Sequence, residues 1–487
     1  MLSAGEKRIL QPNSFGFTVL DYAFFSTNTY VCSMGIGMCW FRKDLRLADN
    51  PAWANACAEG HVIPVFVIEP SMVNASSFRK RELFYSHLLA LKTQIAELGG
   101  NLLIINGPAE KILPRLVRDC GVDSLHFNDD SSPFSRVRDE HVIRLANVRT
   151  VRYWGNLVHA PGSILTNAGS VHKVFTPFYK IWAAAKVLSS YEPEEIIFAE
   201  IPHHTNVAIE VKSPPAINPG SSGANRRLDD FLKKIADYRI LRDFPSVEAT
   251  SHLSSDLHFG TIGPRAILEV LDNTSDSGKA FIRQLAWRDW YAHLLFASPQ
   301  IVDSSANPIY NRVAWKDDKD DYMAWVGGKT GYPIVDAGMR ELNETGFMHN
   351  RVRMIAGSFL VKHLLIDWRK GERHFRRLLL DGDLSQNVGN WQWVAGTGFD
   401  AAPYFRIFNP VRQSLKFDKN GAYIRKWVPE LAGLDNKAIH APWTVDQVVL
   451  AKNGVQLGEN YPFPLIDHAL ARERCLATYK AARATAR

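Results

Sequence analysis

The segment from residue 381 to residue 410 holds an unusual mixture of side chains, DGDLSQNVGNWQWVAGTGFDAAPYFRIFNP. It combines acids, an amide-rich turn, several glycines and two closely spaced tryptophans. Small residues let a flat molecule approach the backbone, carboxylates and amides offer hydrogen bonds, and indole rings offer π surface or electrons. This composition predicts a binding site for a flat organic ligand rather than an ordinary core helix.

The two tryptophans of this segment, Trp391 and Trp393, are separated by one residue. On a helix such residues face different directions, because the side-chain period is 3.6 residues. One indole can therefore pack inward while the other lines a cavity. The alternative is that both rings are ordinary core residues.

A second group of candidates lies in the run GFMHNRVRMIAGSFLVKHLLIDW, which ends at Trp368. Its arginines, Arg351 and Arg353, stand among apolar residues, and a buried arginine needs an acidic partner. The nearest acid cluster at a predicted helix break consists of Asp381 and Asp383. The pairing is either a structural salt bridge or an ion pair that brackets a bound cofactor.

Two further motifs each have a structural and a functional interpretation. The hydroxyls of TSHLSSDLHFG, residues 250–260, either cap a helix or bind a phosphate at the helix start. The stripe of aromatic residues in FIRQLAWRDWYAHLL, residues 281–295, is either core or the wall of a cofactor site. Gln284 and Arg288 are four residues apart and therefore share a helix face, beside Trp287.

The elements that position these motifs belong to two classes. Residues 35–155 alternate strand-like and helical runs, which predicts a parallel, doubly wound sheet, and no G-x-G-x-x-G follows the first strand. The predicted strands are 37–41, 62–68, 101–105, 125–127 and 148–153. From Leu228 onward helical patterns dominate, and the predicted helices are 228–241, 263–273, 279–296, 333–345, 350–368 and 371–380.

A stretch rich in proline, glycine and serine, residues 188–228, predicts a surface linker between the two classes of element. It contains Pro202, Pro214 and the run from Gly220 to Gly223. We therefore expect four parts, which are an extension of unknown role at 1–33, an α/β domain at 35–165, a connector at 166–227 and a helical domain at 228–487. The extension lacks the continuous apolar run of a secretory signal, and we expect the fold to form without it.

The bulk composition is that of a globular protein, with 487 residues and a formal charge of +7. This mild excess of positive charge permits a polyanionic partner without demonstrating one. The five cysteines are scattered, which indicates reduced thiols in a cytoplasmic setting and no zinc site. No apolar run approaches the roughly 20 residues of a membrane span, and we expect no metal and no membrane association.

The chain closely resembles the DNA photolyase/cryptochrome family in strings that occur in family order: WFRKDLRLADNPAW, YRILRDFPSVEATSHLS, FIRQLAWRDWY, KTGYPIVDAGMR, MHNRVRM, DGDLSQNVGNWQW and AAPYFRIFNP. Each string alone is weak, but the ordered set is specific and extends from about residue 35 to residue 487. The greatest likeness is to class I cyclobutane pyrimidine dimer photolyases. The resemblance implies an α/β N-terminal domain with a parallel Rossmann-like sheet and an all-α C-terminal FAD-binding domain.

The resemblance also implies which residues hold the FAD. The cofactor-binding residues would be Tyr238, Thr250, Ser251, His252, Leu253, Ser254, Phe281, Arg353, Asp381, Gly382, Asp383 and Asn387. Asn387 would lie near N5 of the isoalloxazine ring. The electron-transfer tryptophans, which photoreduce the flavin from the surface, would be Trp391, Trp368 and Trp315.

The activity implied by the resemblance is light-driven repair of cyclobutane pyrimidine dimers in UV-damaged DNA by a monomeric lyase. Excited reduced FAD would transfer an electron to a dimer flipped out of the duplex. The residues that contact lesion or DNA would be Arg242, Gln284, Trp287, Arg288, Asn350, Arg351, Met354, Trp393, Arg406 and Gln413. Trp287 and Trp393 would stack on the dimer, and arginines would contact phosphates.

The chain departs from the class I pattern at Gln284, where those enzymes usually carry Glu. Glutamine can donate and accept hydrogen bonds but cannot supply a proton, and it is found at this position in (6-4) photolyases and animal cryptochromes. Asn350 and Met354 instead fit the dimer-repair pattern. Dimer repair is therefore the first expectation, and (6-4) repair or a cryptochrome-type blue-light receptor are the alternatives.

The resemblance further implies a light-harvesting antenna chromophore in the α/β domain. Folate-binding members carry a Cys-Lys pair after a Pro-Ser or Pro-Gln loop, and the corresponding string here is PQIVDSSANP, which lacks the pair. This departure favours 8-hydroxy-5-deazaflavin over a folate.

Overall fold

The computed structural model describes residues 35–188, 190–201, 206–213 and 215–484. The predicted extension at 1–33 lies outside these residues, as do Pro202 and Pro214 of the predicted connector. The described residues belong to one compact unit, in which the sheet and the helices pack directly against each other.

Five parallel strands form the N-terminal sheet: β1 (Gly35–Phe41), β2 (Gly60–Ile68), β3 (Leu103–Asn106), β4 (Ser124–Asn128) and β5 (Arg149–Tyr153). Their order in the sheet is β3-β2-β1-β4-β5, and every neighbouring pair is parallel. The order reverses between β1 and β4, and ligands of such sheets bind beyond the carboxyl ends of the strands near that point. The predicted parallel α/β fold is confirmed.

Helices occupy most of the remaining described residues. They are α1 (Pro51–Cys57), α2 (Pro70–Asn74), α3 (Phe78–Glu97), α4 (Ala109–Asp119), α5 (Pro133–Ala146), α6 (Phe175–Ala184), α7 (Gly220–Lys234), α8 (Tyr238–Leu241), α9 (Ser254–Phe259), α10 (Pro264–Val270), α11 (Asp276–Ala297), α12 (Lys319–Val326), α13 (Pro333–Thr345), α14 (Asn350–Ser358), α15 (Trp368–Leu378), α16 (Leu384–Ala395), α17 (Pro410–Phe417), α18 (Ala422–Trp427), α19 (Gln447–Lys452) and α20 (His468–Ala484). Short 3-10 turns lie at Ile235–Asp237, Pro299–Val302, Pro308–Arg312, Pro429–Leu431, Ala438–His440 and Pro442–Thr444, and a π-helical turn at Phe359–His363. The all-helical C-terminal half is therefore confirmed.

Local sequence explains where many of these helices begin. The side chain of Asn50 accepts a hydrogen bond from the backbone N–H of Trp53, and Pro51 occupies the first turn of α1. Proline is favoured there because its missing N–H would have had no helical partner. Asp383 caps α16 in the same way, since its carboxylate accepts from the N–H groups of Ser385 and Gln386.

The predicted connector is more ordered than its composition indicates. It contains α6, and the glycine-rich run begins α7 at Gly220, eight residues before the predicted start of the helical region. A Cβ on Gly220 would lie 2.6 Å from the Cβ of Ala90 in α3, and one on Gly223 would lie 2.0 Å from the carbonyl oxygen of Asn218. Small residues are used here for close packing rather than for flexibility.

The predicted helix 350–368 is interrupted, which corrects the expectation of one continuous helix. α14 ends at Ser358, the π-helical turn follows, and Leu365 adopts a left-handed φ of 57°. The backbone N–H of Lys316 donates to the carbonyl of Leu365 at 2.8 Å. The chain leaves the helix here because a tertiary backbone pairing replaces the next helical hydrogen bond, which periodicity cannot reveal.

Buried polar contacts join the sheet to the helical half. Arg265 of α10 donates from Nε and from one terminal nitrogen to Asp49 at 2.9 and 2.8 Å, and both side chains are buried. The indole of Trp182 in α6 donates to Asp289 of α11 at 2.9 Å. These contacts fix the relative position of the two halves more firmly than apolar packing alone, because hydrogen bonds are directional.

A tight contact between α11 and α16 gives a stability test. A Cβ on Gly389 would lie 2.2 Å from the Tyr291 ring, so Gly389→Ala should lower the unfolding free energy by about 1–3 kcal/mol through overpacking. Gly357→Ala is the control, because its Cβ would meet nothing closer than 3.6 Å, and helix propensity should favour it by up to about 1 kcal/mol. Denaturant unfolding curves measure both, and equal losses would contradict this packing.

Candidate active site

A cavity of about 560 Å³ opens among α8, α9, α11, α14 and α16, which is within the usual size range of ligand sites. Most of the predicted cofactor and lesion residues line it. They are Tyr238, Arg242, Thr250, Ser251, His252, Leu253, Ser254, Gln284, Trp287, Arg288, Asn350, Arg351, Arg353, Met354, Asp381, Asp383 and Trp393. Segments that are far apart in sequence therefore meet around one space, as the ordered motifs lead one to expect.

The ion pair between Arg353 and Asp381 stands on the cavity wall. The guanidinium donates to both carboxylate oxygens at 3.0 and 2.9 Å, and its Nε donates to the carbonyl of Met348 at 2.7 Å. Burial alone would raise the pKa of Asp381, but the charge and hydrogen bonds of Arg353 outweigh it and hold the pKa below its ordinary value. The predicted pairing of Arg353 with the acids at 381–383 is present.

Hydroxyl groups at the start of α9 meet this ion pair. The Ser254 hydroxyl is hydrogen-bonded to Asp381, and Ser251 accepts from the N–H of Leu253 at 3.3 Å. His252 adopts a left-handed φ of 53°, and its imidazole lies 2.9 Å from the carboxylate of Glu248. The turn thus presents hydroxyls and backbone groups to the cavity, and the contact with Glu248 holds the His252 ring in place.

A smaller recess of about 80 Å³ shares Arg353, Met354 and Asp381 with the main cavity. Asn387 and Trp391 line it. The amide of Asn387 donates to the carboxylate and to the backbone carbonyl of Glu372, at 2.9 and 2.8 Å. Because both hydrogen bonds use the NH₂ group, the amide oxygen of Asn387 is the atom left for a ligand.

Sequence reasoning missed several residues of this wall. Gln386 and Asn390 belong to the first segment considered, and their spacing from Asp383 and Asn387 could have placed all four on one face of α16. His258 lies in the segment 250–260, four residues after Ser254, so helical spacing could have marked it. Glu372 contacts Asn387 through tertiary packing, and no sequence pattern marks it. Burial raises the pKa of Glu372, which favours its neutral form relative to an exposed glutamate.

Two indoles, with the amide of Gln284 beside them, line the main cavity between α11 and α16. Trp287 and Gln284 come from α11, and Trp393 comes from α16. The amide NH₂ of Gln284 donates to the carbonyl of Ala280 in its own helix at 3.3 Å. Trp391 is 4% exposed, whereas Trp393 is only partly buried, so the two rings do face different surroundings.

Other predicted residues lie outside the main cavity or are held by contacts beyond it. Phe281 packs in the core beneath Tyr238, with ring centroids 5.3 Å apart, so it touches the cavity only through that tyrosine. The guanidinium of Arg288 donates to the backbone carbonyls of Asn156 and Leu257, which makes it a structural link between the two halves. Gly382 stands in the smaller recess, and Arg406 and Gln413 lie beyond α16, exposed and half-buried respectively.

The three predicted electron-transfer tryptophans share one region of the core. Trp391 and Trp368 belong to the same buried cluster, and the partly buried Trp315 packs against it. The indole in direct ring contact with Trp391 is a different one, Trp325, at a centroid distance of 6.2 Å. Trp325 in turn stacks on Tyr322 at 6.1 Å. The chain of three tryptophans stays a prediction, and no sequence pattern indicated the Trp325 contact.

A second cavity, of about 510 Å³, lies at the carboxyl ends of β1 and β2. Its wall combines aromatic rings with many cations, namely Trp40, Phe41, Arg42, Lys43, Phe66, Lys80, Arg81, Phe84, Phe134, Arg138, Arg373, Arg376 and Arg377. His258 and Gly382 belong to its wall and also to the wall of the first cavity or its recess. The two ligand-sized cavities are therefore separated, at His258 and at Gly382, by the thickness of one residue.

The donor set of the first cavity fits FAD. The hydroxyls and backbone N–H groups at 250–254 suit a pyrophosphate and ribityl chain, and carboxylates and amides suit the N–H groups of flavin and adenine. Buried Nδ1 of His258 has no hydrogen-bond partner among the described residues, so a ligand group can satisfy it. Burial, then the nearby charges of Lys80 and Lys43, hold the pKa of His258 well below its ordinary value, which keeps the ring neutral.

Comparison with known proteins agrees with this assignment. The model of the FAD binding domain of DNA photolyase matches residues 281–481, and the DNA photolyase model matches residues 38–195. A deoxyribodipyrimidine photo-lyase of Agrobacterium fabrum is 39% identical over 478 residues, covering 92% of this chain and 98% of the relative. The enzyme of that name from Escherichia coli is also 39% identical, with the same coverage.

Solved structures give the same result. A bacterial class III photolyase from Agrobacterium tumefaciens superposes with a TM-score of 0.86 at 38% identity, covering 94% of this chain and all of that one. A cryptochrome from Synechocystis superposes with a TM-score of 0.82 at 27% identity, covering 91% and 98%. The fold is thus common to a photolyase and a cryptochrome.

These similarities establish that the chain belongs to the DNA photolyase family. It is an FAD-binding enzyme of the photo-lyase class, a class of DNA repair enzymes. The cavity described above has the size and the polar and aromatic wall that such an enzyme needs to hold its cofactor. The resemblance drawn from the ordered motifs is confirmed. Among the helices of the described residues, none has the length and apolarity that crossing a membrane requires.

The Arg353–Asp381 pair gives a test of the site. Arg353→Met should lower the unfolding free energy by about 3 kcal/mol, because it leaves Asp381 buried without its counter-ion. Since the pKa of Asp381 is depressed in the folded state, the stability that the pair contributes is present above about pH 4 and is lost as the pH falls further. Denaturant unfolding at several pH values measures both effects.

The matched control is Arg340→Met, because the Arg340–Glu430 pair is similarly exposed but lies outside both cavities. Arg353→Met should also lose flavin on gel filtration, whereas Arg340→Met should retain it. A full flavin content in the Arg353 variant would show that the ion pair does not border the cofactor.

Proposed function

We propose that the enzyme repairs cyclobutane pyrimidine dimers in DNA with light, using reduced FAD in the cavity between α8 and α16. The observation that carries the proposal is the joint placement of Trp287 and Trp393 on the wall of the same cavity as the Arg353–Asp381 pair. One space thus offers a polar cradle for a cofactor and two aromatic rings for a second flat molecule. A pyrimidine dimer that has left the duplex is such a molecule.

In this proposal the FAD is held by the residues inferred from the motifs. Thr250, Ser251, His252, Leu253 and Ser254 bind its phosphates and ribityl chain, Arg353, Asp381, Gly382 and Asp383 border the rings, and Tyr238 closes one side with Phe281 behind it. Asn387 directs its amide oxygen to the flavin and is oriented by Glu372. The chemistry that bound reduced FAD supplies is light-driven transfer of one electron, which opens the cyclobutane ring and is then returned.

The lesion occupies the remaining part of the cavity. Trp287 and Trp393 pack their indole rings against the dimer, a contact that buries the apolar surface of its cyclobutane ring and does not depend on which pyrimidines are joined. Gln284 hydrogen-bonds the carbonyl edge of the dimer, and Asn350 and Met354 border it. Arg242 and Arg351 at the cavity rim, with Arg406 and Gln413 beyond it, contact DNA phosphates and fix the position of the duplex.

The two halves have separate tasks in this proposal. Residues 228–487 hold the FAD and the lesion, with Trp391, Trp368 and Trp315 supplying electrons from the surface. Residues 35–165 hold an antenna chromophore in the second cavity, whose aromatic and cationic wall suits a flat anionic molecule. Both 8-hydroxy-5-deazaflavin and a reduced folate have that chemistry, and the string PQIVDSSANP favours the deazaflavin.

The decisive experiment is light-dependent repair by flavin-loaded, photoreduced protein of two oligonucleotides, one with a cyclobutane dimer and one with a (6-4) photoproduct. We expect repair of the dimer alone. Repair of the (6-4) product alone would reassign the lesion, and repair of neither would favour the light-receptor alternative shared with the Synechocystis cryptochrome.

Gln284→Glu distinguishes a lesion contact from a bystander in the same assay. A carboxylate only accepts hydrogen bonds, so Glu would accept from the ring N–H groups that lie beside the carbonyls of the dimer. Such a charge-assisted bond is roughly twice as strong as a neutral one, so the variant should repair the dimer more efficiently than the natural chain, whereas a bystander would leave the efficiency unchanged. Phe281→Leu serves as the control behind the cavity, and it should change flavin content more than lesion choice.

The antenna is tested by releasing the small molecules from protein produced in a host that makes both deazaflavins and folates. We expect the chromatogram to contain FAD and 8-hydroxy-5-deazaflavin. Arg138→Met, in the second cavity, should lose the deazaflavin and keep the FAD, because it removes a cation from one wall only. Recovery of a folate would overturn the choice of chromophore, and a second FAD would overturn both candidates.

A further inference from the structure

Trp287 has only one side of its indole directed to the cavity, because another ring covers the opposite face. Phe175, the first residue of α6, stacks on it with centroids 3.6 Å apart and planes inclined by 10°. Phe175 is 1% exposed and belongs to the core rather than to the cavity wall. The indole is therefore presented to the cavity on an aromatic support.

The support is itself held from behind. Tyr179, one turn further along α6, stacks on Phe175 with centroids 5.8 Å apart and planes inclined by 18°. The guanidinium of Arg283 lies 4.9 Å from the centroids of both Phe175 and Tyr179. Arg283 precedes Trp287 by one turn on α11, so both side chains contact Phe175 from the same helix.

Buried hydrogen bonds prevent α6 from moving relative to α11. The indole of Trp182 donates to Asp289 at 2.9 Å, and the indole of Trp290 donates to the carbonyl of His172 at 2.7 Å. Breaking either bond would leave a buried polar group unsatisfied, which is costly. The position of Phe175 against Trp287 is thus determined at both ends of α6.

A further contact connects this support to the opposite wall. The N-cap residue of α6 is Val174, whose side chain cannot accept a hydrogen bond, and the N–H of Phe175 donates instead to the carboxylate of Asp400 at 3.0 Å. Asp400 lies in the loop that follows α16, the helix of Trp393, and has a left-handed φ of 44°. One hydrogen bond therefore joins the support of Trp287 to the loop that follows the helix of Trp393.

We propose that Phe175 is a positioning residue for the lesion, which acts by holding the Trp287 indole in the orientation that receives the flipped-out dimer. Asp400 couples this orientation to the wall that carries Trp393. A platform held in place before binding loses less conformational entropy when the ligand arrives, so its benefit appears in affinity rather than in the chemical step. This inference rests on the proposed function, because it presumes that Trp287 contacts the lesion.

The test compares Phe175→Leu with Phe175→Tyr and with a control on the same helix, Phe178→Leu. Phe178 is fully buried and packs on His293, so its loss perturbs α6 without removing the stack on Trp287. Binding is measured with a dimer-containing duplex and with the undamaged duplex of the same sequence. Flavin content, and the repair rate at saturating DNA under fixed light, are measured alongside.

We expect Phe175→Leu to weaken binding of the dimer duplex by about three- to tenfold, the range that an aromatic pair is worth. Its affinity for undamaged DNA and its repair rate at saturation should be unchanged, and Phe175→Tyr should bind like the natural chain. Equal weakening by Phe178→Leu, or normal binding by Phe175→Leu, would overturn the inference. If Phe175→Leu fails to fold, Asp400→Ala decides, and normal affinity of that variant for the dimer would overturn the coupling.

Failure of this inference is distinguishable from failure of the proposed function. Trp287→Ala is included for that purpose, because it removes the indole itself. If the natural chain repairs the dimer and Trp287→Ala binds it weakly while Phe175→Leu binds it normally, only the role of Phe175 is lost. If the natural chain repairs no dimer, the proposed function fails first.

Discussion

The ion pair between Arg353 and Asp381 is the interaction on which the site depends. The carboxylate of Asp381 is the more buried partner and needs its counter-ion, and two hydrogen bonds of 3.0 and 2.9 Å fix the geometry of the pair. The pair joins α14 to the turn that begins α16, so it sets the distance between these two helices, which both line the cavity. The positions of Asp383, Asn387 and Trp393 along α16 follow from that distance.

α11 is a 22-residue helix whose different faces contact the cavity and the N-terminal half. Gln284 and Trp287 face the cavity, whereas Asp289 faces the N-terminal half and accepts hydrogen bonds from Trp182 and from the backbone of Val158 and His159. A small rotation of α11 about its axis would displace Gln284 and Trp287 from the cavity and would also break the hydrogen bonds of Asp289. The buried hydrogen bonds of Asp289 therefore help to define the lesion wall, although they lie outside it.

The sequence predicted the strands, the helical half and the pairing of Arg353, because these depend on periodicity and on the cost of burying charge. It did not predict α6, since a run flanked by proline-rich segments resembles a linker and its helix forms by packing on α11. The resemblance to the photolyase family placed Phe281 in the cavity, yet tertiary packing puts Tyr238 between Phe281 and the cavity. Glu372 and Trp325 come from segments distant from Asn387 and Trp391, which they contact, and no local pattern marks them.

The two halves are more interdependent than a description as two domains implies. Lys80 of α3 donates to the backbone carbonyls of Gly382 and Arg376, both at 3.2 Å, and burial lowers its pKa to about 8. Gly382 stands between the two acids of the ion-pair turn, and a Cβ there would lie 2.9 Å from the Lys80 ammonium. The α/β half thus supplies a buried cation that holds the turn of the cofactor site in place. Because the same lysine also lines the second cavity, a ligand in that cavity and the geometry of the first are linked through one side chain.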